Sequence, residues 1–301
     1  MELHQLRYFV AVAQLENFTR AAEKCFVAQP SLSQQIIKLE RELGGPVFDR
    51  TGRKVRLTDR GRTLYDRAVE ILTAVDQAKR ALTEEDGVGH VSVGAIPTVA
   101  PYFLPPLLKQ FVRQFPKADV KVFENLTEYT IQSCLDGEVD VSVLALPVLD
   151  ERLFVEPLFT EELLLTMAPA HPLARKRRIV MEDISHEKFV LLSETHCLGE
   201  QVMRFCNQQS CQPVVSCHSA QLLTVQELVA LGHGVSLIPR MAVDADKSKR
   251  RKYRSLAEAK PTRTIALIWR KERMQSPLVK RFIEAARKSA AHSNGKAKSP
   301  A

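Results

Sequence analysis

The sequence predicts a mixed α/β chain: a winged helix-turn-helix at the N-terminus, one long helix, and then a larger α/β domain. Three observations predict it. Residues 17–43, NFTRAAEKCFVAQPSLSQQIIKLEREL, read as two short helices around a tight turn. A heptad seam runs along residues 59–83, and beyond Gly87-Val88-Gly89 short β-rich runs alternate with helical ones. A chain of 301 residues has material for two domains with real cores.

The helix pair comes first. Thr19 is the expected N-cap of a short helix through Ala21, Ala22 and Cys25. The chain turns near Val27–Ala28, and Pro30 falls in the first turn of the next helix, where a missing N–H is tolerated. Leu32, Ile36, Leu39 and Leu43 then lie at i, i+4, i+7 and i+11, one apolar stripe. The opposite face carries Ser33, Gln34, Ile37, Lys38 and Arg41. Ser and Gln at a helix start can reach base edges, Ile37 a thymine methyl, and Lys38 and Arg41 phosphates. An ordinary helical hairpin with a solvated face is the competing reading.

The residues after this pair narrow the choice toward double-stranded DNA. Leu43-Gly44-Gly45-Pro46 stops the helix, Val47-Phe48 begins an extended segment, and residues 50–58 read as a basic hairpin or wing. Arg50, Arg53 and Lys54 at its tip suit a phosphate backbone or minor groove. The DNA-facing set is therefore Gln29, Pro30, Ser31, Ser33, Gln34, Lys38, Arg50, Arg53 and Lys54.

Along the long helix, Leu64, Ala68, Ile71, Val75, Ala78 and Leu82 alternate in steps of four and three. A seam on an exposed linker wants a partner, which predicts a dimer joined here; packing on the chain's own second domain is the alternative. A dimer would place two reading helices on a site with dyad symmetry. Beyond the boundary, strands are expected at 90–96, 118–123, 139–146, 153–159, 163–167, 189–192, 214–217, 235–238 and 264–269, with helices at 102–115 and 129–135. That alternation indicates a parallel α/β fold.

The run LHQLRYFVAVAQLENFTRAAEKCFVAQPSLSQQIIKLERELGGPVFDRTGRKVRLTDRGRTLY, from Leu3 to Tyr65, resembles the LysR-type transcriptional regulators. The resemblance implies a two-lobed regulatory domain similar to periplasmic solute-binding proteins, with two crossing strands and an effector site in the cleft. It also implies a dimer of dimers, with RNA polymerase a candidate partner. The expected domains are 1–58 (DNA-binding), 59–86 (linker helix), 87–290 (regulatory) and 291–301 (a disordered tail).

The net charge of +8 is poor support for DNA binding, because residues 247–301 alone hold 17 Lys/Arg against 3 acids. The run Lys247 to Arg254 reads as a solvated loop, one that could touch DNA or another subunit. No apolar stretch reaches membrane-spanning length, and the N-terminus lacks a signal-peptide core, so a cytoplasmic protein is expected. Six cysteines in such a compartment are reduced thiols, and a pair that oxidises is a sensor rather than a staple.

The sharper clue lies in residues 193–206, SETHCLGEQVMRFC. Leu198, Val202 and Phe205 at i, i+4 and i+7 predict an amphipathic helix capped near Ser193 or Thr195. Cys197 then sits in the first turn, where free N–H groups and the helix dipole favour a thiolate, the species that attacks a peroxide. Cys206 lies nine residues on, about 13.5 Å along a continuous helix. A disulfide needs Cα atoms closer than about 7 Å, so the two can join only if the helix unwinds.

Here the chain resembles the hydrogen-peroxide-sensing, OxyR-like branch of the LysR-type family, through His-Cys-Leu…Cys, residues 94–102 (GAIPTVAPY) and residues 263–267 (RTIAL). The resemblance implies Cys197 as peroxidatic and Cys206 as resolving cysteine, with Thr98, Thr127, His196 and Arg263 around the peroxide. Gly199 departs from the branch, which carries a basic residue there, and Cys211 and Cys217 are further candidate resolving thiols. Cys25 and Cys134 read as structural. A zinc site has no supporting spacing, and no cofactor is expected. Competing functions are a metabolite-responsive LysR-type regulator with incidental cysteines, a thiol peroxidase using Cys197, and a solute-binding module. Nucleotide-binding and GxSxG motifs do not occur, and the chain is not expected to be an enzyme.

Overall fold

The computed structural model describes residues 1–49, 55–83, 87–193, 196–209, 211 and 213–296. The chain divides into two compact units, Met1–Glu84 and Glu85–Ala301.

The first unit contains α1 (Leu3–Leu15), α2 (Phe18–Lys24), α3 (Gln29–Glu42), β1 (Phe48–Asp49), β2 (Arg56–Leu57) and α4 (Asp59–Thr83). Its core brings Leu6, Phe9 and Val12 of α1 onto Leu32, Ile36 and Leu39 of α3. The Phe48 ring closes the base at 5.2 Å from Phe9 and 5.7 Å from Phe18. The cap of α2 is Asn17 and not Thr19: Asn17 Oδ1 accepts from the N–H groups of Thr19 and Arg20 at 2.9 and 3.0 Å. An Asn two residues earlier competes better for those orphan donors. β1 and β2 pair antiparallel, Phe48 opposite Leu57, as the base of the expected wing; its tip residues Arg50, Arg53 and Lys54 lie outside the described residues. Gly61 lets α4 approach β1, since a Cβ there would stand 2.1 Å from the Val47 carbonyl oxygen.

Part of the seam on α4 packs within its own unit. Its first half turns inward: Ala68 is fully buried, and Leu64 and Ile71 pack on the helix-turn-helix core. Farther along, Val75 is half-buried and Ala78 is exposed.

The second unit has two lobes. Lobe I holds β3 (Gly89–Ala95), α5 (Ala100–Gln114), β4 (Ala118–Glu124), α6 (Thr127–Leu135), β5 (Val141–Ala145) and, from the far end of the chain, α11 (Pro277–Lys296). β6 (Leu153–Met167) is one continuous strand where two were expected, and it carries the chain from lobe I into lobe II. Lobe II holds α7 (Met181–Ile184), β7 (Lys188–Leu192), α8 (Cys197–Gln208), β8 (Val214–Ser219), α9 (Leu222–Ala230), β9 (Ser236–Pro239), α10 (Arg240–Ala245) and β10 (Lys252–Arg254). The return crossing is β11 (Thr262–Arg270), antiparallel to β6 over its whole length. The sheet order is β10-β6-β11-β5-β3-β4, with β9 also on β6. Only the β3–β4, β3–β5 and β7–β8 pairs are parallel among the named strands, so the sheet is mixed, not purely parallel. The crossing strands run against their neighbours because each must travel back between lobes.

The basic stretch Lys247 to Arg254 is not simply a solvated loop. The Arg251 side chain is buried, its Nε 2.8 Å from Asp246 and its Nη1 3.1 Å from Glu227, and Tyr253 donates to the same Asp246 carboxylate. These bonds hold the Asp246 carboxyl far below the usual range. Lys252–Arg254 forms a strand on β6. The C-terminal helix α11 also extends to Lys296, into the stretch that composition assigns to a disordered tail. Among the described residues, no helix is long and apolar enough to cross a membrane.

Candidate functional site

α8 is the element that carries Cys197 and Cys206, the two cysteines singled out in the sequence. His196 is its N-cap, with extended backbone and no side-chain cap bond, and Cys197 is its first helical residue. Of the cap candidates from sequence, Thr195 lies outside the described residues, while the Ser193 carbonyl accepts the His196 N–H at 2.9 Å. The buried stripe is Leu198, Val202 and Cys206, with Phe205 only half-buried; the stripe is rotated toward i, i+4, i+8 relative to the expected one. Gly199 belongs to the buried face too. A Cβ on it would stand 2.6 Å from the Leu192 carbonyl oxygen and 3.1 Å from that of Ser193, so glycine lets the first turn sit directly on the end of β7. A long basic side chain has no room there in this arrangement.

The two cysteines face different bodies. Cys206 has no exposed surface and lies in the lobe II core, where burial and the neighbouring Cys211 push its thiol up to about 12. Cys197 is half-buried and packs against the core of lobe I, across the cleft from its own helix. It opens onto a cavity of about 610 Å³ lined by Thr127, Tyr129, Leu146, Pro147, Gln201 and Arg204, among others.

The remaining expected peroxide ligands fall into two groups. Thr127 lines this cavity beside Cys197. Thr98 and Arg263 are buried and bonded to each other: Arg263 donates from Nη1 to Thr98 Oγ1 at 2.8 Å and from Nη2 to its carbonyl at 3.0 Å. Arg263 also donates from Nε to Glu161 at 2.9 Å, and Glu161 accepts the Met241 N–H at 2.8 Å. This pair sits where β11 and β6 cross and clasps a lobe I turn to lobe II. Arg263 lines a neighbouring cavity of about 630 Å³ that shares Gln201 and Arg204 with the first. The His196 ring is buried against the backbone of Ala220, and desolvation lowers its pKa, which keeps it neutral.

Two participants were not read from the sequence. Gln201 donates from Nε2 to the Leu146 carbonyl at 2.8 Å across the cleft, while its Oε1 is buried without a partner among the described residues. Its position four residues after Cys197, on the same helix face, was a usable signal. Glu161 carried a weaker one, a carboxylate within a strand opposite Arg263.

In the first unit, α3 presents Gln29, Pro30, Ser31, Gln34 and Lys38 exposed and Ser33 half-exposed. Gln29 Nε2 donates to Ser33 Oγ at 3.0 Å, which joins two of the expected base-reading groups on one face.

Comparison with known proteins places the whole chain. Residues 3–62 match the bacterial regulatory helix-turn-helix protein family, lysR, and residues 84–291 match the LysR substrate binding domain. A hydrogen peroxide-inducible genes activator from Dickeya chrysanthemi is 36% identical over 95% of this chain and 94% of its own length. The DNA-binding transcriptional dual regulator OxyR of Escherichia coli (strain K12) is 35% identical over 98% of this chain and 97% of its own. Among solved structures, a cysteine-to-aspartate variant of full-length OxyR from Pseudomonas aeruginosa superposes with a TM-score of 0.76 at 33% identity, covering 96% of this chain and 94% of that one. A hydrogen-peroxide-bound cysteine-to-serine variant of Corynebacterium glutamicum OxyR gives 0.64 at 27%, covering 100% and 99%. With both of its parts matched, and at 35% identity along nearly its full length, the chain belongs to the LysR family of bacterial transcriptional regulators, in its OxyR-like branch, and is not an enzyme.

Proposed function

We propose that the protein is a peroxide-activated regulator of an oxidative-stress response, switched by a Cys197–Cys206 disulfide that remodels the regulatory domain. The carrying observation is that one ordered helix holds both thiols at its opposite ends, one open to a cleft and one sealed in a core. The name of the Dickeya relative and the hydrogen-peroxide-bound Corynebacterium structure support peroxide as the effector.

The chemistry proceeds in two steps. Cys197 thiolate attacks one oxygen of H₂O₂, the O–O bond breaks, and hydroxide leaves and is protonated to water, giving Cys197–SOH. Cys206 then displaces hydroxyl from Cys197 as a second water, forming the disulfide. Thr98 has its oxygen lone pair engaged by Arg263, so its own O–H proton is available to donate to peroxide; Thr127 offers a second hydroxyl from the cavity wall. His196, buried next to Cys197 at the helix start, is kept toward its neutral form by desolvation. Cα atoms about 13.5 Å apart on a helix must approach within about 7 Å, so α8 must uncoil. Leu198 and Val202 would leave the lobe II core with it, a change large enough to repack subunits.

DNA is read by Gln29, Pro30, Ser31, Ser33, Gln34 and Lys38 on α3, with Arg50, Arg53 and Lys54 on the backbone. Two chains paired along α4, in a dimer of dimers, would meet a site with dyad symmetry in the cytoplasm. The test uses purified protein, stoichiometric H₂O₂ and no added metabolite, with footprinting upstream of its own gene. The footprint should shift on oxidation, and Cys197→Ser should bind DNA yet never shift. An unchanged peroxide response in Cys197→Ser would falsify the thiol as sensor; a response that needs a metabolite would favour a small effector in the cleft.

A further inference from the structure

α8 ends in a specific way. The N–H of its C-cap, Gln209, is shared by the carbonyls of Phe205 and Cys206, and the N–H of Cys211 donates back to the Cys206 carbonyl at 2.9 Å. Counted from the cap, Cys206 is C3 and Cys211 is C″, and the bond between them is of the six-to-one kind that closes helix ends. An apolar contact between C″ and C3 commonly accompanies it. Here both positions are cysteine. The two thiols are free and buried in the same lobe II core, and the Cys211 N–H bond to the Cys206 carbonyl draws their backbones together. The helix stop has therefore built a dithiol, half of which the peroxide reaction leaves unused.

We propose that Cys211 takes the disulfide over from Cys197, converting the Cys197–Cys206 bond into a Cys206–Cys211 bond and ending the remodelled state without an external reductant. This rests on the peroxide reading above. The exchange balances. Cys211 thiolate attacks Cys206 Sγ, the bond from Cys206 to Cys197 breaks, and Cys197 leaves as thiolate and takes up the proton that Cys211 lost. One disulfide is consumed and one is formed, so no further oxidant enters.

Geometry sets the direction. The first disulfide can exist only with α8 open, whereas Cys206 and Cys211 are already joined by a backbone bond in one core when α8 is closed. Handing the bond on lets Leu198 and Val202 return to the core while the oxidation is retained. A disulfide held against the fold is the more oxidising of the two and is drained into the relaxed one. While the helix is closed, burial raises both thiols and holds Cys211 as an unreactive thiol; opening the helix releases it for attack.

Trypsin separates the two bonds, since cleavage after Lys188, Arg204 and Arg240 places Cys197 in residues 189–204 and both Cys206 and Cys211 in residues 205–240. Cys217→Ser removes the third cysteine from the second peptide. In that background, the full chain receives one equivalent of H₂O₂ and is quenched with an alkylating agent at increasing times. The cross-linked pair of peptides should appear first. It should then give way to alkylated 189–204 and a 205–240 peptide lighter by two hydrogens. Adding Cys211→Ser, or Cys211→Ala to keep the apolar contact, should prolong the cross-link by at least about tenfold. Equal lifetimes with and without Cys211, or a 205–240 peptide that never loses two hydrogens, would overturn the relay. A Cys211→Ser chain that never cross-links at all would remove the peroxide reading beneath it instead.

Discussion

The two ends of α8 are built on opposite rules. At its start, Cys197 is half-buried beside a cavity and touches the other lobe, and the turn is held to β7 through a glycine. At its finish, Cys206 has no exposed surface and is packed among the lobe II side chains. A reactive thiol needs access to its oxidant, and a resolving thiol that stays sealed cannot react with the wrong partner. In the proposed reaction, the distance between the two ends is what couples chemistry to shape. In that proposed reaction, Cys197 could close the disulfide only by dismantling the packing that hides Cys206.

Weakening that packing should therefore act on both fold and signal, and the largest effect is expected at Leu198. It is 2% exposed in the lobe II core, so Leu198→Ala should cost about 2–5 kcal/mol. Thermal unfolding should show the loss, and the cross-link should form faster per unit of sulfenic acid because less order must be given up. A destabilised chain with an unaltered cross-linking rate would break the link between helix order and oxidation. Gly199→Ala comes next, at about 1–3 kcal/mol, since its Cβ would meet backbone oxygens that cannot swing aside. That strain falls at the Cys197 end, so it should alter the rate of sulfenic-acid formation, followed with a sulfenic-acid probe, and leave the Cys206 environment alone.

Much of this arrangement was legible in the sequence, and the misses have physical causes. The stripe Leu32, Ile36, Leu39 is strongly periodic and located α3 directly. The seam on α4 was equally clear, but periodicity does not name its partner, and Ala68 turned out to serve its own domain's core. Arg251 was invisible as a buried residue because a basic run reads as solvated until Asp246 and Glu227 are brought to it by the fold. In α8, spacing found the apolar face, while Cys206 counted as a thiol to be used rather than as a core residue, so the face was read one position off. The backbone bond between Cys206 and Cys211 depends on a helix stop with no glycine to announce it among the described residues. Thr98 and Arg263 came from the resemblance alone, since 165 residues of chain separate the two bonded groups.

Substituting each cysteine in turn sharpens the comparison between the ends. Cys206→Ser places a hydroxyl in an apolar core and should cost about 1–3 kcal/mol. Cys197→Ser, half-buried at a cavity mouth, should stay within about 0.5 kcal/mol. Denaturant midpoints under reducing conditions measure both, and equal costs would mean that the ends are equally sealed.

The pH dependence isolates burial from redox chemistry. The Cys206 thiol is pushed from 9.0 up to about 12 in the folded chain. Below pH 9 it is protonated in folded and unfolded chains alike, and its contribution is constant. Between about 9 and 12 the unfolded chain loses the proton and the folded one keeps it, so stability falls as pH rises, by at most about 1.4 kcal/mol per pH unit. Cys206→Ala should flatten the alkaline decline by that amount relative to the unsubstituted protein, which cancels the lysines and tyrosines common to both. Cys134, pushed up to about 12 in the lobe I core and far from any proposed exchange, provides the matched control. If Cys134→Ala flattens the decline and Cys206→Ala does not, then the finish of α8 is open to water in solution. Cys206 would then be as accessible as Cys197, and uncoiling would no longer be needed to expose it.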